Sequence, residues 1–492
     1  EAAFQAIKKA AELIDMSKHN GEHPRMGATD VCPLIPISGI SMEETVFYAH
    51  QLAKKVGEEL AIPVYTYEAA ATMPERKNLA DIRAGEYEAL EDKLKKPEWK
   101  PDYGKATFNI KAGATVIGAR DFLVAYNVNL NTTSTRRANS VAFDVREAGR
   151  KVKNEKGEEV HQPGICKAVK GIGWFIEEYG VAQVSMNLTD IMQTPIHKAF
   201  DECVKSAYTR GMRVTGSELI GLIPLQSMLD AGKYFLEKQQ RSTGVSEDEL
   251  IKIAVKSMGL DELSPFNPKE RIIEYLLRDA SAAKLTTMTL TAFANETASE
   301  SPAPGGGSIS AYVGALGVSL ATMVANLSSH KPGWDSRWKE FSDWAEKGQK
   351  LKDELLKLVD EDTAAFNKIM SAFTLPKGTE EEKKQRKQAI QDATKYAIEV
   401  PFKVMQLSFE SMTVIEQMAI IGNPNSVTDA GVGALCARTA VYGAFLNVQI
   451  NAAGLDDKSY ATQKIEEGQQ LLNTTIALEA KILAIVQDKI KA

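Results

Sequence analysis

The chain has 492 residues, 44% hydrophobic and 25% charged, with a formal net charge of −6. These values fit about three globular domains and exclude a disordered chain, a collagen-like chain and a small disulfide scaffold. The acidic balance, without Lys/Arg blocks, also speaks against electrostatic capture of nucleic acid or an anionic membrane.

In residues 1–16, Phe4, Ile7, Leu13 and Ile14 recur at helical spacing, and Glu1 already sits inside that pattern. Residues 31–38 read as a strand broken by Pro33 and Pro36. Ser41 with Glu44 spells a capping box for a helix to about Leu60, and residues 62–67 read as another strand. Strand, helix, strand at this spacing predicts a βαβ unit and an α/β domain. A further strand, 122–130, continues an apolar segment that starts at Ala114, and the polar stretch 136–160 reads as a solvated turn region. A second α/β set follows, with a strand at 181–188, a helix at 196–212 and a strand at 219–225. A helix from Gln226 and a capped helix from Ser246 complete it. Residues 124–130 and 181–188 echo one another faintly.

Around residues 278–287 the composition turns to Ala, Ser and Thr, as in a linker. Beyond it strand signals stop, and helical patterns cover 290–297, 309–327, 336–373, 380–417, 429–453 and 460–491. The expected division is two α/β subdomains at 1–120 and 121–277, a linker at 278–287, and an all-α domain at 288–492. Residues 309–327 carry no charge and are long enough to span a bilayer. More than half of them are Gly, Ala, Ser, Thr or Asn, which predicts burial among other helices instead. Cys32, Cys166, Cys203 and Cys436 lie far apart, a spacing that predicts reduced thiols rather than zinc or disulfides. Charges interrupt every early apolar stretch, so no signal peptide is read.

The densest polar constellation is His19-Asn-Gly-Glu-His23-Pro-Arg-Met-Gly27. Two His four apart can share a metal on a helix, but Gly21 and Pro24 oppose a helix there. General acid/base work by one His is the sharper reading, with Arg25 holding a carboxylate bidentately. A plain loop with capped polar groups is the alternative. The segment from Gly104 to Gly113 is a glycine-punctuated loop leading into a strand, suited to a flat ligand or to an ordinary turn. Ala303-Pro-Gly-Gly-Gly-Ser308 opens the uncharged helix and offers backbone N–H groups to an anion or polar ring. Tight packing at Gly314, Ala315 and Gly317 explains it equally well. Asp362 shares a helical face with Leu358, Phe366 and Ile369, and a carboxylate on an apolar stripe is costly unless paired or functional. Asp360 and Glu361 read as solvated, and Asp429 as an N-terminal helix residue beside the polar loop Asn423, Asn425 and Ser426.

The stretches Gly21-Glu-His-Pro-Arg-Met-Gly27, Ile82-Arg-Ala-Gly-Glu-Tyr-Glu88, Gly113-Ala-Thr-Val-Ile-Gly-Ala-Arg120 and Gly171-Ile-Gly-Trp174 resemble the formiminotransferase domain. From Leu290 on, Ala303–Ser308, Val359-Asp-Glu-Asp-Thr-Ala-Ala-Phe366 and Gly422-Asn-Pro-Asn425 resemble the cyclodeaminase domain of the same bifunctional family. The resemblance implies a folate-dependent enzyme of histidine degradation with two steps. The first moves the formimino group of N-formimino-L-glutamate to N5 of tetrahydrofolate; the second closes the ring to 5,10-methenyltetrahydrofolate and releases ammonia.

It further implies that His23 and Asp362 are the two catalytic residues. The folate loop would be Gly104, Lys105, Ala106, Thr107, Phe108, Asn109, Ile110, Lys111, Ala112 and Gly113. Arg25, Gly305, Gly306, Gly307 and Ser308 would help to seat substrate. Implied too are a polyglutamylated tetrahydrofolate co-substrate, no metal, a cytoplasmic location and a homo-oligomer built from dimers, with neither nucleic acid nor membrane as partner. The expected fold is multidomain: two α+β sandwich-like transferase subdomains followed by the helical cyclodeaminase domain. The family's transferase starts further upstream, so a leading strand–helix–strand piece of about 30–60 residues is expected before Glu1. Two other readings stay open: a cyclodeaminase or methenyltetrahydrofolate cyclohydrolase with an inactive transferase half, and a folate-binding scaffold.

Overall fold

The computed structural model describes residues 1–19, 24–37, 39–277 and 284–491. They fall into two compact units: Glu1–Pro224 with Gly259–Pro265, and Leu225–Met258 with Phe266–Ala492.

The first unit opens with α1 (Ala2–Leu13), which buries Phe4 and Ile7 as their spacing predicts. β1 (Val31–Leu34) ends before Pro36. The next helix, α2 (Met42–Glu59), starts on the expected capping box: Ser41 Oγ accepts from the Glu44 N–H, and the Glu44 carboxylate accepts from the Ser41 N–H. β2 (Val64–Glu68), α3 (Leu79–Arg83), α4 (Leu90–Leu94) and β3 (Thr115–Ala119) complete a parallel sheet in the order β1-β3-β2. β1 and β2 are therefore parallel, as a βαβ unit requires, but β3 is inserted between them.

The second sheet comprises β4 (Val124–Leu130), β7 (Val169–Ile176), β8 (Val181–Leu188) and β9 (Val214–Ile220). Before β7 come α5 (Thr135–Val145) and the hairpin of β5 (Arg150–Lys153) with β6 (Glu159–Gln162), and α6 (Ile196–Tyr208) precedes β9. Strand order is β7-β8-β4-β9, and every neighbouring pair is antiparallel. Helix α5 packs on β7 and β8, and α6 packs on β4 and β9. The echoing segments 124–130 and 181–188 are adjacent strands of this sheet.

Two expectations need correction here. The strand expected at 122–130 is β4, but it does not continue the apolar segment from Ala114, because the chain breaks at 120–123 and β3 and β4 belong to different sheets. Nor is 136–160 a solvated turn region: it holds most of α5 and the β5–β6 hairpin. Only Ala138, Val141, Ala142 and Val145 are buried in α5. They form an i, i+3, i+4, i+7 stripe, which the high average polarity of the segment conceals. β7 escapes sequence reading because Gly171 and Gly173 dilute its pattern. The Asn139 side chain bonds both the N–H and the C=O of Gly173, which ties α5 to that strand.

The second unit is helical, and no strand occurs among its described residues. α7 (Leu225–Lys238) and α8 (Glu247–Met258) are followed by the short α9 (Pro268–Arg271), α10 (Ile273–Leu276) and α11 (Leu290–Thr297). Its body is α12 (Gly306–Ser329), α13 (Trp338–Phe373), α14 (Glu380–Ile421), α15 (Val427–Ala453) and α16 (Lys458–Lys491), with ends close to those expected from periodicity. Part of the expected linker, 278–283, lies outside the described residues, and Leu285–Thr287 forms a 3₁₀ turn. Helix α12 is long and apolar enough to cross a membrane, but most of its apolar window is buried in the protein. It packs on α13, α14 and α15. Small residues permit that closeness: the position a Cβ would take on Gly317 is 2.9 Å from the Gly433 carbonyl of α15.

Candidate functional sites

His23, with Asn20, Gly21 and Glu22, lies outside the described residues. The frame that follows it is firmly tied. Arg25 is largely buried and donates through Nη1 to Glu86 and Glu88 at 3.0 Å, and through Nη2 to Glu88 at 2.7 Å and to the His19 carbonyl at 2.9 Å. The Glu88 bond, and then Glu86, hold its guanidinium above the ordinary arginine pKa. Its charge is thus already matched within the chain, and a substrate carboxylate would have to compete for it. The Tyr87 N–H donates to the Arg25 carbonyl, while Asp30 accepts from the Met26 N–H and pairs with Arg83. Composition gave no hint of these partners. The alternating acids of Gly85-Glu-Tyr-Glu88, in a turn rather than a helix, are the signal that could have revealed them.

The loop from Gly104 to Gly113 meets this frame. Ala28 N–H donates to the Ala112 carbonyl and Ala114 N–H to the Met26 carbonyl. Gly113 sits at φ +69°, where a Cβ would come within 2.2 Å of the Met26 carbonyl, so glycine is required there by backbone contact alone. Phe108 packs at 5.5 Å from the Tyr87 ring, and the Tyr87 hydroxyl donates to the Ile110 carbonyl at 2.6 Å. Asn109 closes the loop on the Ala112 N–H, and Lys111 Nζ reaches the Glu12 carbonyl. Gly104, Lys105, Ala106, Thr107 and Ile110 are exposed. The arrangement brings the 24–28 frame, Glu86–Glu88 and the glycine loop together, a convergence no spacing announced.

Beside them is a cavity of about 750 Å³ bordered by Pro24, Arg83, Glu86, Arg120, Lys170 and Asp190. Its mixture of guanidinium, ammonium and carboxylate groups suits a small ligand bearing charges of both signs. Pro24, the residue after His23, is part of its wall.

In the helical unit, Asp362 on α13 meets the first turn of α12. The Ser308 N–H donates to Asp362 Oδ2 at 2.8 Å. The Ser308 hydroxyl lies 3.1 Å from the same oxygen and 2.9 Å from the Val359 carbonyl, so its single proton serves one of them at a time. The carboxylate therefore sits at a helix N-terminus, where free N–H groups and the dipole favour negative charge. Burial acts against this and is the larger effect: it raises the Asp362 pKa, while the Ser308 bonds pull it down. A carboxyl poised in this way can both take and give a proton.

The expected site residues here come together, with a change of emphasis. Ser308 holds Asp362 directly, and Gly305 is the N-cap of α12. Gly307 is where the carboxylate passes: a Cβ there would lie 2.1 Å from Asp362 Oδ1. Gly307→Ala is expected to displace the carboxylate and lower ammonia release by about 10- to 100-fold, checked by steady-state kinetics on the second step alone. Asn447 of α15 stands against Gly306 and was missed from sequence, although a polar residue in an apolar helix was a usable signal. Asp360 is half-buried rather than freely solvated: it accepts from Leu285 N–H and Thr286 Oγ1 and caps that turn. Asp429 falls in the first turn of α15, as expected. No group of three His, Cys, Asp or Glu side chains placed to hold a metal occurs among the described residues.

Comparison with known proteins covers nearly the whole chain. Residues 1–120 match the family described as the N-terminal subdomain of the formiminotransferase domain. Residues 125–278 match the formiminotransferase domain, and 289–470 match formiminotransferase-cyclodeaminase. Over 490 residues the chain is 42% identical to a formimidoyltransferase-cyclodeaminase of Gallus gallus, covering 99% of this chain and 89% of that one. A glutamate formimidoyltransferase of Streptococcus pyogenes is 43% identical over 237 residues, 48% of this chain and 75% of its own length. A methenyltetrahydrofolate cyclohydrolase of Methylorubrum extorquens is 37% identical over 202 residues, 41% of this chain and 97% of its own.

Proposed function

The chain belongs to the formiminotransferase-cyclodeaminase family, and from that membership we propose how its two sites divide the work. It is a folate-dependent enzyme of two steps, with tetrahydrofolate as co-substrate. In the first step, N5 of tetrahydrofolate attacks the formimino carbon of N-formimino-L-glutamate, N5 loses its proton, and glutamate leaves as the protonated amine. His23 carries that proton, and the 750 Å³ cavity beside Pro24 receives the glutamate end, with Arg120 and Lys170 facing its carboxylates. The loop from Gly104 to Gly113 lies along the folate, and Arg25 holds the His23 frame through Glu86 and Glu88.

In the second step N10 attacks the formimino carbon. Asp362 takes the N10 proton and delivers one to the departing nitrogen, which leaves as ammonia. The observation that carries this reading is the carboxyl of Asp362, buried enough to raise its pKa yet held by the first turn of α12. Gly305, Gly306 and Gly307 keep that turn open to the folate.

The two sheets belong to transferase subdomains of α+β sandwich form at 1–120 and 121–277, with the deaminase at 288–492. The helices packed on the antiparallel sheet support that form. Exposed apolar residues such as Leu316, Leu435, Leu446 and Ile450 on α12 and α15 support assembly into dimers and larger homo-oligomers. A polyglutamylated folate, a place in histidine degradation and a cytoplasmic setting complete the proposal, with neither metal nor membrane involved. One assay tests the function. Supplied with N-formimino-L-glutamate and tetrahydrofolate, the chain should release glutamate and then ammonia, with formation of the methenyl product. Ammonia release from supplied 5-formiminotetrahydrofolate without any glutamate release would favour the cyclodeaminase-only reading.

A further inference from the structure

The antiparallel sheet has one face under α5 and α6 and one face free of them. Gly173 of β7 turns toward Ala138 of α5, so by strand alternation Lys170, Ile172 and Trp174 point away from the helices. The strand register carries this open face across the sheet. Lys170 of β7 and Ile220 of β9 end one row of paired residues, and Ile172 and Glu218 end the next. Lys170, Ile172 and Ile220 are exposed, and Lys170 also borders the 750 Å³ cavity. The open face therefore runs from that cavity toward Glu218.

A directed hydrogen-bond network ends on Glu218. The Trp174 indole N–H can only donate, and it donates to Gln183 Oε1 at 3.0 Å. The Gln183 amide nitrogen therefore faces Asn129 Oδ1 at 2.8 Å and Glu218 Oε2 at 3.4 Å. Asn127 Nδ2 donates to the same Glu218 oxygen at 3.3 Å, and the Tyr179 hydroxyl donates to Oε1 at 3.2 Å. Asn127, Asn129 and Gln183 are buried, and Glu218 is half-buried. Its three donors are all neutral, and their bonds to it are long. A carboxylate has about four lone-pair sites and loses hydration when it is partly buried, so Glu218 keeps acceptor capacity without a matching charge. Two N–H donors presented side by side would complete it.

Both substrates of the transfer step offer such a planar N–C–N edge. One is the formimino group; the other is the 2-amino and N3–H side of the tetrahydrofolate pterin. Spacing separates them. Glu218 stands three strands and two residues from Lys170, about 16 Å between Cα atoms at strand spacings of about 4.8 Å and a rise of about 3.4 Å. That span is longer than formiminoglutamate, whose carboxylates face Lys170. It suits a pterin joined to formiminoglutamate through N5, with the N–H edge at one end and the carboxylates at the other. Ile172 and Ile220 offer the ring apolar surface on the way.

We propose that Glu218 binds the 2-amino and N3–H edge of the tetrahydrofolate pterin in the transfer step and so sets N5 toward the cavity that takes the glutamate end. This assignment rests on the transfer reaction proposed above.

The test measures glutamate release by the full chain, varying each substrate in turn. Glu218→Gln keeps size and one acceptor oxygen but sets an amide against the N–H edge. It should raise KM for tetrahydrofolate by about tenfold or more, with kcat and KM for N-formimino-L-glutamate within about threefold of wild type. Glu218→Asp should recover part of the loss, and ammonia release from supplied 5-formiminotetrahydrofolate should stay unchanged. A network that merely stabilised the sheet would not single out one substrate. Equilibrium dialysis with 5-formyltetrahydrofolate, which does not turn over, should show one binding class weakened to a similar degree in Glu218→Gln. A rise confined to KM for N-formimino-L-glutamate, or unchanged folate KM and dialysis, would overturn the proposal. If the wild-type chain releases no glutamate, the transfer reaction is what fails, and dialysis alone decides for or against Glu218.

Discussion

Asp362→Asn should lower ammonia release by about 10²- to 10⁴-fold while formimino transfer proceeds at its normal rate. The substitution keeps size and shape, so Ser308 still finds an oxygen acceptor at the first turn of α12. What disappears is the ability to accept the N10 proton and return one to the leaving nitrogen. The pH dependence follows from the same geometry. Burial raises the Asp362 pKa, so as pH falls the carboxylate is protonated at a higher pH than an exposed aspartate would be. The acidic limb of the deamination profile should therefore lie above the ordinary aspartate range, and it should vanish in the asparagine variant. Rates of ammonia release and of glutamate release, measured separately across pH, check both points. Near-normal deamination by Asp362→Asn would remove the carboxyl from the mechanism.

The second large effect is expected at His23. His23→Ala should reduce formimino transfer by about 10²- to 10⁴-fold, while supplied 5-formiminotetrahydrofolate is still deaminated at the normal rate. Arg25, two residues on, is clamped by Glu86 and Glu88, and Pro24 borders the cavity. The substitution therefore leaves the surrounding frame its own anchors, and a loss confined to the first step would report proton transfer rather than collapse. Glutamate release at the wild-type rate in His23→Ala would sink the assignment.

These two substitutions also separate what was legible in the chain from what was not. Helices α12 to α16 were read nearly to their ends because they are long, and long periods average over individual exceptions, whereas α7 and α8 of the same unit were read into the second α/β set. Short elements fared worse. Four apolar residues carry α5 through a polar stretch, because it is stabilised by β7 and β8 further along the chain, and two glycines hide β7 although its strand partner β8 follows directly. A pattern confined to a few residues cannot show a partner that lies elsewhere.

The candidate sites divide in the same way. Sequence by itself determined which side chains bear chemistry: a carboxylate on the apolar face of α13, a glycine run opening α12, and histidines with an arginine in one loop. It also determined the kinship, because those residues stand in long ordered motifs. Only the tertiary structure decided that Ser308 grips Asp362, that Glu86 and Glu88 have already claimed Arg25, and that Asn127 and Gln183 both donate to Glu218. Each of these is a contact between segments far apart in the chain. Periodicity governs which face a residue takes on its own helix, whereas packing governs which atom from another element meets it there.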